Sequence, residues 1–70
     1  MEAKLTYVIK FVKDMEIAVR FHRDVLGLPL RFQSSEWSEF STGAATLALH
    51  RASDRNAPGH VEIGYSVRGL

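Results

Sequence analysis

The segment DMEIAVRFHRDVLGLP, residues 14–29, is the one stretch where helical spacing and both helix ends are written together. Asp14 has the side chain of an N-cap, able to accept from the free N–H groups of the first turn. Glu16 adds negative charge near the positive end of the helix dipole. Ile17, Ala18, Phe21, Val25 and Leu26 recur at helical spacing and predict one apolar face. Glu16 with Arg20, and Arg20 with Asp24, stand four apart and predict surface pairing. Gly27 supplies the left-handed residue that ends such a helix, and Pro29 keeps it from restarting. The expected helix runs from about 15 to 26.

The flanking sequence reads as strand. In LTYVIKFV, residues 5–12, strict alternation puts Leu5, Tyr7, Ile9 and Phe11 on one face and Thr6, Val8, Lys10 and Val12 on the other. Residues 28–36 alternate as a half-buried strand. Residues 37–42 form a second short strand, Gly43 a tight turn, and 45–52 a third strand. A polar loop follows at 53–59, then an additional alternating strand at 60–67. The order is one βαβββ unit, 1–52, plus a strand. This predicts a single α+β domain with one helix packed on a mixed sheet.

Seventy residues bury little surface, and without cysteine no disulfide compensates and no thiolate binds metal. A good core, a metal held by His and carboxylates, or oligomerisation remain. Absence of cysteine fits a reducing compartment, and a cytoplasmic location is expected. The net charge of +1 and scattered Lys and Arg give no argument for nucleic acid. No apolar run approaches a membrane span, so no membrane partner is expected. There is no Gly-rich phosphate loop, nucleophile elbow or His-Glu-x-x-His helix.

The motifs Val12-Lys13-Asp14, Phe21-His22-Arg23-Asp24-Val25-Leu26-Gly27-Leu28, the Trp37 to Phe40 strand, the Gly43 turn and Leu47-Ala48-Leu49-His50 resemble the opening module of the vicinal-oxygen-chelate superfamily. That superfamily includes glyoxalases, bleomycin-resistance proteins and dioxygenases. The resemblance covers residues 4–67 and is more specific for the fold than for an activity. Two departures stand out. His22 takes a place where the family usually has Tyr. Family members also usually carry two modules, and residues 61–67 resemble the first strand of a second one. The resemblance therefore implies a half-length chain, cut off where the second module begins. It also implies closure by another copy, as a two-fold homodimer with or without exchange of the last strand.

Metal-binding relatives take ligands from the first and last strand of each module. The resemblance points to Tyr7, seven residues before Asp14, where a His is usual; a phenol there serves equally as cavity wall. His50, at the end of the last module strand, is a candidate ligand for a divalent ion (Zn, Ni, Mn or Fe) or an exposed strand end. Glu62 matches Tyr7 in the second module and reads as a ligand or a surface carboxylate. His60 is two residues off that register and reads as a loop end or a further metal ligand beside Glu62. His22 reads as a hydrogen-bonded core residue. Trp37 and Phe40 line the cup or fill a contact. Three functions are weighed. In the first, an apolar cup of Tyr7, Ile9, Trp37, Phe40 and His50 binds a planar small molecule in a dimer. In the second, a metal-dependent lyase, isomerase or dioxygenase holds its ion by His50 and Glu62 across the dimer. The third is an inactive piece. Loss of the first-strand His favours the first.

Overall fold

The computed structural model describes residues 1–69. It is an α+β fold with strand order β2-β3-β4-β1-β5. The strands are β1 (Glu2–Val12), β2 (Leu30–Gln33), β3 (Trp37–Phe40), β4 (Thr46–Arg51) and β5 (Val61–Arg68). β1 pairs parallel with β4 and antiparallel with β5. The β2–β3 and β3–β4 pairs are antiparallel. The three strands after the helix form an antiparallel meander, and the additional strand pairs with β1 of its own chain.

Helix α1 (Met15–Arg20) starts where Asp14 caps it, with Oδ1 accepting from Ile17 N–H at 3.1 Å. It does not run on as an α-helix. Phe21–Val25 form a π-helical turn, with Leu26 N–H donating to Phe21 O at 3.1 Å. Gly27 then takes φ 71°, the reversal that a side chain would resist.

The buried stripe of the helix differs from the one its spacing suggests. Met15, Val19 and His22 are buried, while Ile17, Phe21, Val25 and Leu26 are exposed. Two apolar stripes compete on this helix, and the sheet accepts only one. Met15 and Val19 pack with Val12, Phe40 and Leu49, flanked by Ala18, Leu28, Leu30 and Leu47. On the other stripe, Ile17 and Phe21 border an open depression shared with Lys10, Pro58 and Gly59. His22 sits in the core as expected, its Nδ1–H donating to Ala18 O at 2.7 Å beside the Phe40 ring. The expected pairs of Arg20 do not form; Asp24 turns to Arg23 at 2.7 Å instead.

A bulge between Leu5 and Tyr7 corrects the face assignment in β1. Leu5 pairs with Tyr65 and Tyr7 with Gly64, so two β1 residues, Thr6 and Tyr7, oppose one on β5. The extra residue moves Leu5 to the helix side, away from Tyr7, Ile9 and Phe11. The radius of gyration is 12.9 Å, against about 11 Å for a compact chain of this length. One helix covers part of one face of a five-stranded sheet, and the other face is bare. Among the described residues no helix is long and apolar enough to cross a membrane.

Candidate functional site

Cross-strand partners share a face, so the register lays out the helix-free side. Tyr7 lies beside Thr46, Ile9 beside Ala48, and Phe11 beside His50. Across β3, Trp37 opposes His50 and Glu39 opposes Ala48. On β5, Gly64 opposes Tyr7 and Glu62 opposes Ile9. Tyr7, Ile9, Trp37 and His50 therefore stand on one continuous surface, as the sequence suggests.

Their rings touch. Tyr7 and Trp37 meet edge to face at 6.2 Å, and Trp37 and His50 at 5.6 Å. Such pairs fix ring orientation and add a little beyond area burial. The indole N–H of Trp37 donates to Glu39 Oε2 at 2.9 Å, which ties the ring down along its own strand. Ala48, beneath this group, has no exposed surface. A larger residue there would lift the rings. Gly64 has the same logic, since an added Cβ would lie 3.3 Å from Tyr7 Cβ. The floor thus alternates small residues with half-buried aromatics.

Phe40 is not part of it. It has no exposed surface and packs in the helix-side core with Val19 and Leu49. The reason is the period of the strand: Trp37 and Phe40 are three apart, so they point to opposite sides. Glu39, two from Trp37, is the residue that shares its face.

His50 and Glu62 are not brought together within one chain. Phe11 stands beside His50 and Ile9 beside Glu62, with β1 lying between β4 and β5. Two strand spacings, about 10 Å, separate the two outer strands. Among the described residues no group of three or more His, Asp or Glu is placed to hold a metal ion. His50 Nδ1–H instead donates to Arg51 O at 2.9 Å. His60 stacks on the opposite flank of Phe11, at 5.6 Å, with His50 at 5.0 Å, so the buried Phe11 ring separates the two imidazoles. The clearest perturbed carboxyl lies off the site. A hydrogen bond from Arg23, opposed by desolvation and helped by the charges of Arg23 and Arg20, holds Asp24 below its ordinary range.

Sequence reasoning placed Phe11 on the Tyr7 face but missed Glu39, Arg31 and Phe32 as parts of this surface. Alternation from Trp37 points to Glu39, and alternation from Leu30, which packs on the helix side, points to Arg31. Phe32 reaches the face through a bulge in β2 that pairs it with Glu39. A depression of about 710 Å³ lined by Lys13, Asp14, Glu16, Gln33 and Arg51 lies at the start of the helix and holds none of these residues. The aromatic surface is a floor without walls in a single chain. No family model and no curated protein matches the chain.

Proposed function

We propose that the chain is a small-molecule binding protein of the vicinal-oxygen-chelate type, working as a homodimer. The observation that carries this reading is the ring cluster of Tyr7, Trp37 and His50 over Ala48 on a sheet face that no helix covers. Planar apolar ligands bind on such shelves, where flat rings offer area at low entropic cost and a few polar groups set orientation.

A second copy extends the sheet that carries the shelf. The outer edge of β5 is unpaired, and Val61, Ile63, Tyr65 and Val67 form an exposed apolar stripe, Tyr65 being 63% exposed. Patches of this kind favour association. Antiparallel pairing of two β5 strands about a two-fold axis at Tyr65 sets Ile63 opposite Val67. It also sets Glu62 of each copy opposite Arg68 of the other. This register extends the bare face across both copies.

The test is titration of ¹⁵N-labelled protein with 2-naphthalenemethanol, a neutral planar probe. Saturable shifts centred on Tyr7, His50 and the Trp37 indole N–H, lost in Trp37→Ala, are expected. Shifts confined to the β5 stripe, or none, overturn the reading.

A further inference from the structure

Arg31 gives the proposed site a charge preference. Leu30 pairs with Phe40, and the next paired residue, Phe32, pairs with Glu39. Leu30 packs on the helix side and Phe32 is paired with Glu39 on the other, so Arg31 and Phe32 both stand on the ring-bearing face. Its Nη1 donates to Thr46 Oγ1 at 3.3 Å. Thr46 is the β4 neighbour of Tyr7, so the guanidinium stands at the rim of the aromatic shelf.

That guanidinium is free to take an anion. Among the described residues the ion pairs are Arg23 with Asp24, Arg51 with Glu36 and Arg68 with Glu2, and Arg31 is in none of them. Glu39, the carboxylate next to it in the sheet, accepts from the Trp37 indole N–H. A planar guanidinium with unused N–H donors matches a carboxylate in a two-pronged way.

We infer that the site takes a planar aromatic ring carrying one carboxylate, the ring on the Tyr7–Trp37 shelf and the carboxylate on Arg31. This deepens the small-molecule reading and rests on it. Glu39 limits the charge: its own carboxylate on the same face opposes a second negative group on the ligand.

The experiment compares 2-naphthoate with its neutral isostere 2-naphthalenemethanol, read at the indole N–H of Trp37, the single tryptophan of the chain. Naphthoate binds about fivefold tighter, the scale of one exposed ion pair, and the margin shrinks as salt is raised. Arg31→Gln brings the two affinities together without weakening the neutral probe. Arg31 is exposed, so this variant leaves the core intact. Glu39→Gln widens the margin. Equal affinities in the unaltered protein, or a margin that survives Arg31→Gln, overturn the carboxylate inference while binding of the neutral probe keeps the shelf reading. Failure of both probes to move Trp37 overturns both.

Discussion

Phe40 offers the sharpest test of how the two sheet faces divide their work. Its ring has no exposed surface and joins Val12, Met15, Val19 and Leu49 beneath the helix. Truncation to alanine in such a place costs about 3–5 kcal/mol, transfer and cavity terms together. A chain of 70 residues holds roughly 3.5–10 kcal/mol in all, at ~0.05–0.15 kcal/mol per residue. Phe40→Ala should therefore leave little or no folded protein. Phe40→Leu, which keeps an apolar side chain, should cost about 1.5 kcal/mol. Trp37→Ala removes a half-buried ring from the other face and should cost about 2 kcal/mol, roughly half the core figure. Urea unfolding followed by circular dichroism reads these losses. With a slope of ~1 kcal/mol/M, Phe40→Leu lowers the midpoint by about 1.5 M. Phe40→Leu should still bind 2-naphthalenemethanol, and Trp37→Ala should not. A Phe40→Ala protein more stable than Trp37→Ala, or a Phe40→Leu protein that folds but loses the probe, would refute the division of faces.

Other outcomes follow from single contacts. Asp14→Ala removes the cap on Ile17 N–H and costs ~1 kcal/mol, read as a fall of about 4–8 °C in Tm. Ile63→Lys puts a charge in the β5 stripe and should leave a folded monomer by light scattering, against the dimer proposed for the unaltered chain; an unchanged mass excludes the β5 register. Gly64→Ala brings a methyl within 3.3 Å of Tyr7 Cβ and should shift the Tyr7 and Trp37 signals together while the helix signals stay put. Arg23 holds the Asp24 carboxyl low, so any stability it contributes is present above the unfolded-state pKa and lost as pH falls through the lower folded value. Carbon-detected titration should place Asp24 below ordinary aspartate, and Arg23→Gln should raise it.

Much of this architecture was legible because local signals agreed. The Asp14 cap, the Gly27 reversal and the alternation of Trp37 to His50 each specify geometry within a few residues. Three things were not. Ile17, Phe21 and Val25 form as good an apolar stripe as Met15, Val19 and His22, and only the position of the sheet chooses between them. Bulges at Thr6–Tyr7 and at Arg31–Phe32 carry no composition signature, yet they decide that Leu5 leaves the ring-bearing face and Phe32 joins it. The π turn at Phe21–Val25, with His22 buried in its midst, likewise has no signature in the helical spacing. Of the five residues expected to line the cup, Tyr7, Ile9, Trp37 and His50 share one sheet face, while Phe40, three residues from Trp37, falls on the other.

The pairing of β1 with β5 joins Lys10 to Val61 and Glu2 to Arg68, the most distant partners in the sheet. Contacts of such long sequence separation form late, because a large loop must close before they are rewarded. The strand that carries Tyr7 and Ile9 is therefore a bare edge until β5 arrives. During synthesis at ~5–20 residues per second, that wait lasts roughly 3–10 s. The Tyr7 and Ile9 side of the aromatic floor is then completed last, when Gly64 and Glu62 of β5 pair with it.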